Sequence, residues 1–299
     1  MNTKKYVFII VENYKMFLYF IFELFSLRIN FSGKPRLFAV HSRNITNIGD
    51  NINYDLMSKI IKGGVHKSTY LETFFCKNYF FIGSILSFAK KNSIVLGSGF
   101  NKESDVNSLK RLPQIKFVRG YLSASLLADK FGLESNSIRV IGDPGLLVSD
   151  YYPKAIVVKN RVLLILHHSD SLNDDLKKFV DNNDIDVFNM GQSVLFSDFF
   201  LLLTSYKLVI SSALHGVIFA DSYGIKCIPV RIEKNAKVSE FKFFDYFSIS
   251  SNRNDCIIYP ISNILELSNI NQLENFTLPP LINLEQIKIE LHKSILTSM

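Results

Sequence analysis

From residue 36 onward the chain repeats one pattern: a short apolar run, a few small or polar residues, then a segment with helical spacing. RLFAV (36–40), SIVLGSG (93–99), KFVRG (116–120) and SIRVIG (137–142) are bounded by turn residues and read as buried strands. Helices are expected over 50–62, 82–90 and 121–131. GDPGLL (142–147) then turns the chain, and YYPKAIVVKN (151–160) reads as a linker. A second cycle follows, with strands VLLILHH (162–168), DIDVFNM (184–190), KLVIS (207–211) and KCIPV (226–230). Its helices are expected over 172–182, 194–205 and 214–223, and LEQIKIELHKSIL (284–296) carries a last helical period. This alternation predicts an α/β fold with largely parallel sheets, in two halves with a cleft between them. Ligands in such sheets sit beyond the carboxyl ends of the strands, so each strand-to-loop junction is a place to look for chemistry.

Five junctions carry polar residues. In TNIGDNINYDL (46–56), Asn47 and Gly49 supply a turn, and Asp50 or Asn51 can cap a helix. The junction is either a cap alone or a helix N-terminus offered to a ligand, with Asp50 as base or hydroxyl acceptor. VLGSGF (95–100) ends a strand with two glycines around Ser98, in neither the Walker A nor the GxGxxG spacing. In FVRGYLSASLL (117–127), Arg119 stands at a strand end. It either grips a carboxylate or phosphate bidentately or forms a surface salt bridge. LILHHSD (164–170) ends a strand with two histidines, whose alternation sends them to opposite faces. That makes a poor metal site and leaves His167 facing the cleft. Finally, in KLVISSALHGVIFADSYG (207–224), Ser211 and Ser212 fall at or beside an N-cap and His215 in the first turn. This is either a capped turn with an incidental histidine or an anion site where His215 moves a proton.

Composition narrows the partners. The 299 residues, 47% of them hydrophobic, can build two cores. The boundaries expected are an apolar helical segment 1–35, a first domain 36–155, and a second domain 156–299 that includes the C-terminal helix. MFLYFIFELFSL (16–27) is short of the roughly 18–20 apolar residues that span a bilayer. It is either a buried helix or one lying on the cytoplasmic membrane face, where Lys4, Lys5, Lys15 and Arg28 meet anionic lipid. The expected location is therefore the cytoplasm, peripheral at most. A net charge of +7 favours acidic partners. The lysines are scattered and no aromatic–basic signature is present, which argues against nucleic acid and for phosphorylated small molecules or lipid. Cys76, Cys227 and Cys256 form no CxxC pair, as expected in a reducing compartment without structural zinc.

Taken in order, NIGDNIN (47–53), FIGSIL (81–86), VLGSGF (95–100), VRGYLSASLL (118–127), IGDPGLL (141–147), His167 with Asp170, SSALHGVIFADSYGIKCIPV (211–230) and FKFFDYF (241–247) resemble the polysaccharide pyruvyl transferase family. The resemblance implies two Rossmann-like domains in a glycosyltransferase-B-like pair, the first on the acceptor side and the second on the donor side. It also implies transfer of pyruvate from phosphoenolpyruvate, with no metal or other cofactor, onto a sugar of a bacterial surface polysaccharide or its lipid-linked precursor. The product is a ketal, and phosphate is released. By position, His215 becomes the general acid/base, with Asp50 beside it. Arg119, Ser211, Ser212, His167 and Lys242 become donor-binding, and Asn51 and Asn47 face the acceptor. One departure stands out: many members have an arginine where this chain has Ala213, so the cation must come from Lys242, Arg231 or Lys234. Two alternatives use the same scaffold, a nucleotide-sugar-dependent glycosyltransferase and a non-enzymatic sugar- or phosphate-binding partner.

Overall fold

The computed structural model of the protein describes residues 34–38, 47–68, 70, 72–232, 239–267 and 269–299. The apolar stretch 16–27, the last two residues of the first expected strand, and Lys234 lie outside the described residues.

Two five-stranded sheets form the frame, and every strand pairing in them is parallel. The first holds β1 (Arg36–Phe38), β2 (His66–Ser68), β3 (Asn78–Phe80), β4 (Ser93–Leu96) and β5 (Gln114–Phe117), in the order β2-β1-β3-β4-β5. The second holds β6 (Lys159–Leu166), β7 (Asp186–Asn189), β8 (Tyr206–Ser211), β9 (Lys226–Arg231) and β10 (Tyr259–Pro260), in the order β10-β9-β8-β6-β7. Counted within its own half, each sheet runs 2-1-3-4-5. The chain leaves the first strand to one side and returns on the other. That reversal opens a crevice beyond the carboxyl ends of the first and third strands.

Burial on both faces explains why the strands read as continuous apolar runs. Leu37, Ile94, Leu96, Leu163, Ile165 and Val209 point into one continuous core that the two sheets share. Their neighbours Phe38 and Val95 face an outer cluster on the first sheet, and Val162, Leu164 and Leu166 face another on the second. Helices α1 (Ile48–Ile61) and α5 (Leu214–Ser222) lie in the shared layer. α1 buries Ile48, Ile52, Leu56 and Ile60, one residue every four, and its Ile48 N–H donates to the Met190 carbonyl of the other half at 3.0 Å. α5 is buried almost all round, as its apolar sequence demands. The other longer helices are α2 (Tyr121–Phe131), α3 (Asp174–Asn182), α4 (Phe196–Thr204), α6 (Phe241–Phe247) and α7 (Leu284–Leu296).

The structure departs from the sequence expectation in several places, beginning with β2 and β10, which no expected strand covered. The helix expected over 82–90 is a turn followed by one 3-10 turn, Leu86–Phe88. Gly83 has φ +113°, which a helix does not allow, and Asn53 takes over the Ile82 backbone, accepting its N–H at 2.8 Å and donating to its carbonyl at 3.1 Å. The strand expected over 137–142 reduces to a single bridge, Val118 to Val140. The short strand β3, central to the first sheet, lies within FFCKNYFFIG, where Lys77 and Asn78 interrupt the apolar residues at its start. α6 falls between the expected elements, and its Asp245 reaches back to the first half. α7 likewise packs on the first half, where Arg139 donates to Ser294 Oγ at 2.9 Å and Lys288 Nζ donates to Ser149 Oγ at 2.7 Å.

Candidate active site

The crevices of the two sheets open onto one cavity of about 190 Å³. Asn47 and Asp50 reach it from the junction after β1, and Ser84 and Ile85 from the junction after β3. His167 and His168 follow β6, Met190 follows β7, and Ala213, Leu214 and His215 follow β8. Lys242, from the first turn of α6, completes the wall.

Two helix N-termini meet at His215. It lies in the first turn of α5, and its ring rests against the first turn of α1. A Cβ added to Gly49 would fall 1.8 Å from His215 Nδ1, so only a glycine lets the helix come this close. Phe219 stacks on the other side, with ring centroids 5.8 Å apart and planes 18° apart. His215 Nε2 and His168 Nδ1 are buried with no hydrogen-bond partner, a costly state for a polar atom and one an anionic oxygen or hydroxyl would relieve. Asn47 caps α1, accepting the Gly49 N–H at 3.1 Å and donating to Asp50 Oδ2 at 2.8 Å.

The titrating groups are set by burial and by two cations, Lys242 and Arg119. Burial, then Lys242 and Arg119, lowers the His215 pKa to about 3, so the free protein holds a neutral imidazole. Burial, Lys242 and the two other histidines lower His167 to about 3 as well. His168 is lowered by burial and by Lys242. Burial raises Asp50 to about 6 against the opposing pull of Lys242 and Asn47. Lys242 falls to about 8 through burial and the Arg119 charge, opposed by Asp50 and Asp170. Every histidine here is held neutral by surroundings that favour a bound anion.

Of the residues expected at the site, His215, Asp50, Asn47, His167 and Lys242 line the cavity. Asn51, also in the first turn of α1, is not in its wall. Arg119 sits fully buried behind it. Its Nε donates to Asp245 Oδ2 at 2.9 Å, Nη1 to Ser84 Oγ at 2.8 Å and Nη2 to the Phe100 carbonyl at 2.7 Å. Its reach into the cavity is through Ser84. Both serines of the SSALHG turn are structural in their bonding. Ser211 Oγ donates to the Ala213 carbonyl at 2.9 Å, and Ser212 Oγ donates to Asp170 Oδ2 at 2.6 Å while accepting the His167 N–H at 2.9 Å. The expectation that His167 and His168 face opposite ways fails because β6 ends at Leu166. Beyond the strand the alternation lapses, and both rings line the cavity with centroids 4.1 Å apart. Of the cations weighed against Ala213, Lys242 lines the cavity beside it, whereas Arg231 is spent on a surface pair with Glu240 at 2.7 Å. Sequence reasoning passed over Ser84, turned His168 away from the cleft, and read Gly49 only as a turn residue. FIGSIL and NIGDNIN contained Ser84 and Gly49, but no spacing rule marked them for the site. Among the described residues no group of three or more His, Cys, Asp or Glu side chains could hold a metal ion, and no helix is long and apolar enough to cross a membrane.

A family model described as polysaccharide pyruvyl transferase matches residues 6–234. The chain is also similar to an uncharacterized protein of Acanthamoeba polyphaga mimivirus, 27% identical over 268 residues that cover 84% of this chain and 86% of that protein.

Proposed function

Since the chain belongs to the polysaccharide pyruvyl transferase family and is therefore a transferase acting on a polysaccharide sugar, we propose that its donor is phosphoenolpyruvate and that His215 is the general acid. The observation that carries this reading is the meeting of two helix N-termini, Lys242 and a neutral, unpartnered His215 around one small cavity. Its cation and helix N-termini suit a small phosphate monoester. Each sheet runs 2-1-3-4-5, the flavodoxin-like variant of the doubly wound fold rather than the 3-2-1-4-5-6 Rossmann order; on our reading the halves over 36–155 and 156–299 form a glycosyltransferase-B-like pair, with the donor at the second crevice and the acceptor at the first.

In this mechanism the donor's phosphate and carboxylate lie against the N-termini of α1 and α5, with Lys242 supplying the charge that Ala213 lacks. Their negative charge offsets the Lys242 and Arg119 fields that hold His215 neutral, so a proton reaches the imidazole as the donor binds. His215 gives that proton to the methylene carbon, leaving an oxocarbenium-like centre at the carbon bearing the phosphate. One sugar hydroxyl adds there, the carbon–oxygen bond to phosphate breaks, and a second hydroxyl closes the ketal. Asp50, with a pKa of about 6, is ionised at neutral pH and suited to take a hydroxyl proton. One hydroxyl proton thus replaces the proton given to carbon, and the other leaves with phosphate.

The test is purified protein with phosphoenolpyruvate and a panel of free and lipid-linked sugars, following phosphate release and the mass of the ketal. Lys242→Ala is expected to weaken donor binding at least about tenfold, in line with losing a charge-assisted contact. Adding Ala213→Arg to Lys242→Ala is expected to restore it. Unchanged donor affinity in Lys242→Ala would remove this lysine from the donor site, and full turnover by His215→Ala would end its role as acid.

A further inference from the structure

We propose that a surface of exposed aromatic rings and lysines on the first sheet docks the protein onto an anionic lipid bilayer. Tyr70, Phe74, Phe75 and Phe88 are 47%, 45%, 67% and 37% exposed. They form one patch rather than scattered rings: Tyr70 lies 5.3 Å from Phe74 and 6.1 Å from Phe88 between centroids, and Phe74 lies 6.4 Å from Phe75. Contiguous exposed apolar area of this kind marks an interaction surface.

Its charge selects the occupant. Between residues 66 and 92 the sequence carries Lys67, Lys77, Lys90 and Lys91 against a single acid, Glu72. Glu72 is buried and lies 3.7 Å from Arg36 and 3.4 Å from His66, so the outward charge of the segment is positive. Lys90 lies along the patch itself, its Nζ 5.1 Å from the Tyr70 centroid and 4.7 Å from that of Phe74, and Lys91 follows it in the chain. Apolar stems and rings with ammonium groups at the rim match the water–lipid boundary, where rings enter the acyl edge and amines meet phosphate headgroups. A protein partner would more often be met by a flatter, less cationic surface, since lysine is depleted in such interfaces. The patch and the cavity wall both include residues beyond the carboxyl ends of strands in the first sheet. β1 ends at Phe38, Tyr70 follows β2 by two residues, and Phe88 closes the short turn that begins just after cavity residues Ser84 and Ile85.

The chain has no tryptophan, so Phe75→Trp in the full-length protein gives a single reporter. With phosphatidylcholine–phosphatidylglycerol vesicles its emission is expected to shift to the blue and to be quenched by brominated acyl chains, and pure phosphatidylcholine is expected to give little of either. Lys90→Glu with Lys91→Glu is expected to lower vesicle partition at least roughly tenfold, and Phe75→Ser to lower it similarly, with unfolding midpoints unchanged. Three results would overturn the proposal. One is emission that vesicles do not change. Another is emission already blue and independent of lipid, meaning that the chain itself or a second copy covers the patch. The third is partition that neither set of substitutions alters. Binding alone is read, so the outcome is independent of the transferase assay.

Discussion

Gly49 offers a direct test of how the site is held together, because it is neither charged nor chemically reactive. The substitution Gly49→Ala places a methyl carbon 1.8 Å from His215 Nδ1, 2.3 Å from Cγ and 2.7 Å from Cε1. Ordinary contact begins near 3.4 Å, so the imidazole and the helix must separate by about 1.6 Å. Both are confined, the ring by Phe219 and the helix by Asn53 and by the bond from Ile48 N–H to the Met190 carbonyl. Overpacking of a confined site costs about 1–3 kcal/mol, partly offset by up to about 1 kcal/mol of better helix propensity. A catalytic group displaced by about 1 Å loses on the order of 10²-fold in rate. The assay is urea unfolding of four proteins: the parent, Gly49→Ala, His215→Ala and the double variant. Phosphoenolpyruvate affinity by calorimetry and turnover are measured alongside. Gly49→Ala is expected to destabilise the parent but to be neutral or stabilising when His215 is already alanine, giving a coupling of at least about 1 kcal/mol. Equal costs in the two backgrounds, within about 0.5 kcal/mol, would refute the contact between this histidine and the N-terminus of α1.

Donor binding is expected to take up protons near neutral pH, because the anion raises the lowered His215 and His167; calorimetry in buffers of different ionisation enthalpy reads the number, and affinity should rise as pH falls. For stability the sign follows from the same groups. His215 is neutral in the folded chain down to about pH 3, but the unfolded chain protonates it below about 6.5. Its contribution therefore falls with pH in that window, by up to about 1.4 kcal/mol per pH unit, and His215→Asn should lack this loss in unfolding measured across the range. Asp50, raised to about 6, acts in the opposite direction between about 3.8 and 6, so Asp50→Asn should show the reverse difference. Asp245→Ala is expected to destabilise the protein by about 3–5 kcal/mol, since it strands the fully buried Arg119 guanidinium; a change below about 1 kcal/mol in chemical denaturation would contradict a buried pair.

Much of this protein was written locally in its sequence. Apolar runs bounded by polar residues marked β4, β6, β8 and β9, because a strand covered on both faces must be apolar throughout. The same logic located the polar junctions, so Asp50, Asn47, His167 and His215 stood out as junction residues before any coordinates. Other features depend on atoms far apart in the chain. Arg119 reads identically in sequence whether it meets a ligand or Asp245, 126 residues away, and only packing brings in that carboxylate. Serines at an N-cap look like anion ligands until Ser212 is found bonded to Asp170. β3 and the Gly83 turn follow from strand pairing and from the Asn53 side chain, neither of which leaves a period in the sequence. The lowered histidines and raised aspartate come from burial and from Lys242, which the chain brings in from α6. Local composition thus determined which segments form strands and helices and which junctions are polar. The tertiary structure decided which polar groups satisfy one another and which are left facing the cavity, because that division rests on distances between segments that the sequence keeps apart.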